Sequence, residues 1–155
     1  MTLDEFNALP VDGAEQQLIA CCAAPRWAAQ VAAGRPYASG GALQAAAAAA
    51  LTDRDLDQAM AGHPRIGDRA EGVSRREQAG VAQAGDDVRA ALAEGNRTYE
   101  ERFGHVYLVC ASGRSAEDLL ATLHARLGND PAAERAVALA EVAAINRIRL
   151  GGLVA

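Results

Sequence analysis

Residues 131–150 read PAAERAVALAEVAAINRIRL, and this stretch indicates the fold class of the chain most plainly. Proline is favoured at the first position of a helix and alanine has the highest helix propensity, so we predict a long last helix from Pro131 towards Leu150. Four apolar residues recur at the spacing of one helix face: Val137, Ala140, Ala144 and Ile148. We expect that face to pack on the core, with Arg149 at its edge.

The same helical signals run through the rest of the chain. Aromatic residues make up only 4% of it, and runs of β-branched residues are nearly absent. Further helices are predicted after the Thr2–Glu5 capping box, at 12–22, 26–33, 42–51 and about 55–62, from Ser74, at about 86–102 and after Ser115. The short apolar run 106–110 has no partner strand and predicts one isolated extended segment near 105–111. We therefore predict an all-α helical bundle of about seven to nine helices, with residues 1–155 forming a single domain.

Composition and charge narrow the function classes. The formal net charge is −5, which disfavours a protein that binds nucleic acid through its phosphates. The longest apolar stretch, around 45–51, is far shorter than the roughly 20 residues of a membrane span, and the N-terminus lacks the pattern of a secretion signal. The cysteines are three in number and read as reduced thiols, so we expect a cytoplasmic protein without a membrane partner.

Motifs for a bound metal or cofactor are missing from the sequence. The histidines and cysteines do not have the spacing of zinc ligands, and the glycine-rich pieces lack the features of a phosphate loop or a dinucleotide fingerprint. There is also no nucleophile-elbow sequence. We therefore expect no metal and no cofactor.

Residues 63–67, HPRIG, contain the histidine that the local sequence singles out. Pro64 has a fixed φ and biases the preceding residue away from helix, so it can hold the His63 imidazole in one direction. The cluster Ser74–Gln78 follows, and its carboxylate, amide and guanidinium groups suit a small polar anion. Each feature also has a structural explanation: a histidine at a helix end is often a cap or a surface residue, and Ser74-x-x-Glu77 has the spacing of a capping box. These residues alone leave the function undecided.

Four sequence blocks match the pattern of one known family, and their order and spacing agree with it over nearly the whole chain. They are His63-Pro64-x-x-Gly67, Ser74-x-x-Glu77-Gln78, Asn96-x-x-Tyr99-x-x-Arg102-Phe103-Gly104 and Ile145-x-x-Ile148-Arg149-Leu150. With them the chain resembles the family of 2-oxo-4-hydroxy-4-carboxy-5-ureidoimidazoline (OHCU) decarboxylases. It departs from the common family pattern after His63-Pro64, with Arg65-Ile66 where Asp-Leu is common, and after Gly104. There His105 is either a surface replacement for an apolar residue or an extra polar group near the site.

The resemblance implies an all-α, cofactor-free homodimer that converts OHCU to (S)-allantoin in urate degradation. By position it implies that His63 is the catalytic histidine and that Glu77 is the acidic residue working with it. It also implies a set of substrate-binding residues: Pro64, Ser74, Arg75, Arg76, Glu77, Gln78, Tyr107, Leu108, Val109, Cys110, Ala111 and Arg149. The run 107–111 would act partly through its backbone groups, and the Arg149 guanidinium would hold an oxyanion.

Two other functions remain compatible with the sequence. A non-catalytic all-α interaction module would have the same composition and apolar stripes, but it would tolerate the loss of both His63 and Glu77. A cofactor-free decarboxylase of another ureido acid would keep the same site and would differ only in its substrate.

Overall fold

A computed structural model describes residues 1–68 and 72–155. Within these residues the chain forms ten α-helices, one 3-10 turn (Asp53–Asp55) and no β-strand, so the predicted all-α class is confirmed. The helices are α1 (Leu3–Ala8), α2 (Val11–Cys21), α3 (Pro25–Ala33), α4 (Gly40–Ala50), α5 (Leu56–Ala61), α6 (Gly72–Glu77), α7 (Ala79–Ala82), α8 (Asp86–Phe103), α9 (Ala116–Arg126) and α10 (Pro131–Leu153).

The helix starts follow the capping residues that the sequence predicts. Thr2 and Glu5 form a reciprocal capping box at the start of α1. The Ser115 hydroxyl accepts a hydrogen bond from the Asp118 amide at the start of α9. These bonds satisfy N–H groups that a helix leaves without an intrahelical partner.

One predicted capping box is wrong. Helix α6 begins at Gly72, so Ser74 lies inside the helix and cannot be its N-cap. A second short helix, α7, follows where one helix was expected, and this division raises the number of helices above the predicted seven to nine. Residues 106–111 belong to neither a helix nor a strand, as expected for an extended segment without a partner strand.

The chain divides into two compact units. The first unit comprises residues 1–62 and 143–155, in which α3 packs against α2 and α4. Trp27 is fully buried there, and its indole N–H donates to the Ala47 carbonyl at 2.9 Å. Asp55 is also buried, and its carboxylate pairs with Arg26 at 2.5 Å.

The second unit comprises residues 63–142, in which α8 packs against α9. Among the described residues of this unit, ten buried ones form the core cluster: Ile66, Val81, Leu92, Tyr99, Tyr107, Val109, Ala111, Ala116, Leu119 and Leu123. The cluster includes one residue of the predicted catalytic motif and three from the run 107–111, so the core packing determines where these two parts of the chain lie.

The apolar face predicted for α10 is wrong. Ala140 and Ala144 are exposed, and Ile148 keeps 47% of its surface accessible. The buried residues of this helix lie on another face: Glu134, Ala138, Val142, Ile145, Asn146 and Leu150. Alanine is common all round the helix, so the apolar contrast between its faces is weak, and two polar residues occupy buried positions.

Candidate active site

The segment His63–Asp68, here called the histidine loop, contains a tight turn. The Asp68 amide donates to the Arg65 carbonyl at 3.2 Å, which closes the turn over residues 65–68. Gly67 occupies its third position with a φ of 91°, a left-handed conformation that side chains with a Cβ rarely adopt. The glycine of the motif is therefore explained by the backbone of the turn.

Side chains from two other segments hold this turn in place. The Gln78 side-chain oxygen accepts from the Gly67 amide at 3.0 Å, and the buried Asn96 side chain donates to the Ile66 carbonyl at 2.8 Å. Buried backbone groups need such partners, because a lost hydrogen bond there costs about 1–3 kcal/mol. The Gln78 side-chain amide, which we expected to bind substrate, therefore already binds the histidine loop.

Arg65 gives the histidine loop a further attachment. Its guanidinium pairs with Glu100 of α8, with Nε 2.5 Å from one carboxylate oxygen and Nη2 3.2 Å from the other. Glu100 is the first cause that raises the pKa of Arg65 above its ordinary value. Arg65, which stands where the family commonly has aspartate, thus has a charged partner in the same unit.

Aromatic rings from the last turns of α8 pack against the segment that follows it. The buried Tyr99 ring lies 4.7 Å from the Phe103 ring and 5.4 Å from the Tyr107 ring. The His105 imidazole lies edge-on to Tyr99 at 5.6 Å, so this half-buried residue belongs to the aromatic cluster and does not lie at the surface. Gly104, with a φ of 76°, ends α8 and lets the chain turn into this segment.

Residues 107–111, here called the backbone segment, are held by side chains in place of a partner strand. Arg126 of α9 donates from Nη1 to the Leu108 carbonyl at 2.8 Å. Glu141 of α10 accepts from the Cys110 amide at 2.9 Å. The residues of the backbone segment are buried except for the half-buried Cys110, so the bonds from Arg126 and Glu141 are made within the packed interior of this unit.

A buried charged pair lies behind the backbone segment. Glu134 is fully buried and accepts from the Arg126 Nε at 2.7 Å, while the Tyr99 hydroxyl donates to the same carboxylate. The Arg126 guanidinium also lies over the Tyr107 ring, 5.0 Å from its centroid. Burial followed by the bond to Glu134 raises the pKa of Tyr99 well above its ordinary value, which keeps its hydroxyl protonated as a donor.

The charges around Cys110 show that Glu77 lies near the backbone segment. Burial is the largest cause that raises the pKa of the Cys110 thiol, and the negative charges of Glu141 and Glu77 raise this pKa further. The Ser112 amide acts in the opposite direction. Carboxylates from α6 and α10 thus both act on this residue through their charges, and the one from α10 also accepts from its amide.

A family model for the OHCU decarboxylases matches residues 7–151. The chain belongs to the OHCU decarboxylase family. A 2-oxo-4-hydroxy-4-carboxy-5-ureidoimidazoline decarboxylase of Amia calva is 33% identical over 143 residues, which cover 84% of this chain and 81% of the relative. A solved structure described as OHCU decarboxylase in the presence of (S)-allantoin has 26% identity and a TM-score of 0.81, covering 88% of this chain and 96% of that one.

A third relative is a two-function protein. The uric acid degradation bifunctional protein TTL of Arabidopsis thaliana is 27% identical over 151 residues, which cover 90% of this chain but only 47% of the relative. The family membership predicted from the four sequence blocks is confirmed, and two of these relatives are named as decarboxylases, the enzyme class that the sequence predicts.

The structure brings most of the residues predicted from the OHCU decarboxylase family into one unit. His63 and Pro64 are half-buried at the start of the histidine loop, and Ser74 and Glu77 are half-buried on α6. The side chains of residues 75 and 76, both arginines, are exposed. All of these residues and the backbone segment lie in the second unit.

Arg149 lies in the first unit, on the last part of α10. Its Nη1 donates to the Cys21 carbonyl at 3.0 Å. A guanidinium has five N–H donors in a fork, and this bond uses one of them.

Sequence reasoning missed the residues that hold the backbone segment. Arg126, Glu134 and Glu141 carry charges that would ordinarily be placed at the surface. A weak signal existed, because Glu134 stands four and eight residues before Ala138 and Val142, on the face of α10 that is buried.

No group of three or more histidine, cysteine or acidic side chains within residues 1–68 and 72–155 is placed to hold a metal ion. None of the helices in the described part of the chain is long and apolar enough to cross a membrane.

Proposed function

We propose that this protein decarboxylates OHCU to (S)-allantoin in urate degradation, with residues 1–155 acting as one functional domain. The observation that carries the proposal is the contact between two of the family's sequence blocks. Gln78 of the Ser74–Gln78 block accepts from Gly67 of the histidine loop at 3.0 Å. The two bonded residues are eleven positions apart, so their blocks form one local arrangement in the second unit. The chain matches the family over residues 7–151.

The substrate can supply its own electron sink. The ring carbon that loses carbon dioxide carries a hydroxyl group and stands beside a carbon–nitrogen double bond. When its bond to the carboxylate breaks, the electron pair moves towards the imine, whose nitrogen takes up a proton, and an enol remains. The enol then loses its hydroxyl proton to become a carbonyl, and the ureido-bearing carbon gains a proton on one face. The protein needs only to bind the ring and to move protons.

We assign the proton transfers to His63, with Glu77 as its partner. Imidazole is the side chain that most readily exchanges protons near neutral pH, which suits loss of the hydroxyl proton or delivery of a proton to carbon. Glu77 supports the assignment because its charge acts on Cys110, and it therefore lies near the backbone segment. A carboxylate there can orient the imidazole or accept from a ureido N–H group.

The remaining assignments concern binding. The backbone segment would present peptide groups to the flat, polar ring, whose carbonyls and N–H groups match them. Pro64, Ser74, Arg75, Arg76 and Gln78 would surround the ring and the ureido group, and the Arg149 fork would hold an oxyanion of the ligand. The proposal includes a homodimer, which sedimentation equilibrium would test, and a cytoplasmic site of action, with which the three free cysteines agree.

The test is a coupled assay with freshly made substrate. Urate is converted to OHCU by urate oxidase and hydroxyisourate hydrolase, and the circular dichroism of allantoin is followed with and without this protein. The proposal predicts fast appearance of one enantiomer, whereas slow and racemic formation equal to the spontaneous reaction would contradict it. An interaction module would give that second result. A decarboxylase of another ureido acid would give it too, but would accelerate the loss of carbon dioxide from its own substrate.

A further inference from the structure

We propose that Glu141 is a positioning residue for substrate binding, because it fixes the direction of the peptide group between Val109 and Cys110. The inference rests on the proposed function, which gives the backbone segment its role. Glu141 belongs to α10, and its carboxylate accepts from the Cys110 amide at 2.9 Å across 31 residues of sequence.

The geometry of a peptide group connects this bond to the direction of the Val109 carbonyl. The peptide between Val109 and Cys110 is trans, and in a planar trans peptide the N–H and C=O groups point in opposite directions. When Glu141 holds the Cys110 N–H, it therefore aims the Val109 carbonyl away from itself. A hydrogen bond to a carboxylate is short and strong, so this direction is well fixed.

A second attachment does the same for the preceding peptide. Arg126 donates to the Leu108 carbonyl at 2.8 Å, so the Val109 N–H points away from Arg126. The two attachments act on residues 108 and 110, and between them they orient both backbone polar groups of Val109. One residue then offers a donor and an acceptor together, a pair that matches the adjacent C=O and N–H groups of a ureide.

The location of Glu141 agrees with a role in substrate binding. Glu141 bonds the Cys110 amide at 2.9 Å, and the charge of Glu77, the proposed partner of His63, also acts on Cys110. Glu141 is half-buried, which allows its bond to Cys110 to persist against competition from water.

Two variants separate positioning from general support of the fold. Glu141→Gln keeps an acceptor oxygen at the same reach, whereas Glu141→Leu keeps a similar volume and removes the acceptor. We expect KM for OHCU to rise about tenfold in Glu141→Leu with kcat within about threefold, because the segment binds the ring in the ground state and the transition state alike. Glu141→Gln should keep KM within about threefold of wild type.

Amide hydrogen exchange measured by NMR gives a readout that is independent of activity. The Cys110 N–H should exchange at least tenfold faster in Glu141→Leu than in wild type and should stay protected in Glu141→Gln. Glu117→Leu, on the exposed surface of α9, is the matched control and should change neither KM nor this exchange rate. If Glu141→Leu does not fold, Glu141→Asp replaces it, since its carboxylate is one methylene too short to keep the bond, and the same rise in KM is expected.

Three results would overturn the inference. The first is an unchanged KM in Glu141→Leu. The second is a rise in KM that is equal in Glu141→Gln and Glu141→Leu. The third is a lower kcat at constant KM, which loss of folded protein would give. A wild-type protein that does not accelerate OHCU decarboxylation would refute the proposed function itself, and that result is recognised without any variant.

Discussion

Replacing Glu134 with leucine should destabilise the protein strongly. Glu134 is fully buried and accepts hydrogen bonds from Arg126 at 2.7 Å and Asn129 at 3.1 Å, as well as from the Tyr99 hydroxyl. Glu134→Leu leaves the Arg126 guanidinium, itself only 5% exposed, without its counter-charge. Breaking a buried pair by removing one partner costs about 3–5 kcal/mol, a large part of a domain's usual stability.

The assay is urea unfolding followed by circular dichroism at 222 nm. The single variant should lose about 3–5 kcal/mol of unfolding free energy relative to wild type. The double variant Arg126→Met/Glu134→Leu should recover part of this loss, because it removes both buried charges. It should still fall short of wild type by about 1–3 kcal/mol, since the Leu108 carbonyl loses its donor.

Two results would refute this reasoning. A loss below about 1 kcal/mol in Glu134→Leu would mean that the pair contributes no more than an exposed one. A double variant less stable than the single variant would mean that the buried charge is not the cause of the loss. The exposed Glu117→Leu serves as the control and should stay within about 0.5 kcal/mol of wild type.

Three further predictions concern other parts of the chain. Gly80→Ala should lose about 1–3 kcal/mol of unfolding free energy by overpacking, because an added Cβ would lie 2.2 Å from the Arg114 carbonyl oxygen. Burial acts to raise the pKa of Asp55, but the hydrogen bonds from Arg26 and from Thr52 outweigh it and lower this pKa below 3.8. The stabilisation from Asp55 is therefore complete above pH 3.8 and lost as the pH falls through the lowered value, so the stability difference between wild type and Asp55→Asn should shrink in acid. Burial raises the pKa of the Cys21 thiol to about 11, so iodoacetamide at pH 8 should leave it unmodified in the native protein, as read by mass spectrometry.

Each of these predictions has a control or a result that would contradict it. Gly85→Ala adds a Cβ in open space and should leave stability within about 1 kcal/mol of wild type, so an equal loss in both glycine variants would contradict the packing argument. A stability difference between wild type and Asp55→Asn that stayed constant from neutral pH into acid would contradict the account of the Asp55 pKa. Rapid alkylation of Cys21 before unfolding would contradict the account of its burial.

The sequence predicted the helices well because their signals are local. Thr2 and Ser115 cap helices as expected, since a capping bond joins residues only three positions apart. The packed face of α10 could not be predicted in the same way. Alanine occupies positions on every side of this helix, and the choice of buried face depended on Glu134, whose partner Arg126 lies on another helix.

The candidate site shows the same division between local and distant interactions. The motif residues around His63 could be found from the sequence, and the turn explains why Gly67 belongs to them. The bond from Cys110 to Glu141 joins residues 31 positions apart, and no local pattern marks such a pair. Arg149 could be selected only by its place in the family's last sequence block.

The most direct test of the account measures (S)-allantoin formation by wild type and by His63→Ala on freshly generated OHCU. Proton transfer by a positioned side chain contributes about 10²–10⁴-fold to rate, so the variant should lose at least about a hundredfold in kcat. Its helical circular dichroism and urea midpoint should match wild type, which separates lost chemistry from lost folding. A folded His63→Ala protein that retained the full rate and formed only the (S) enantiomer would contradict the account.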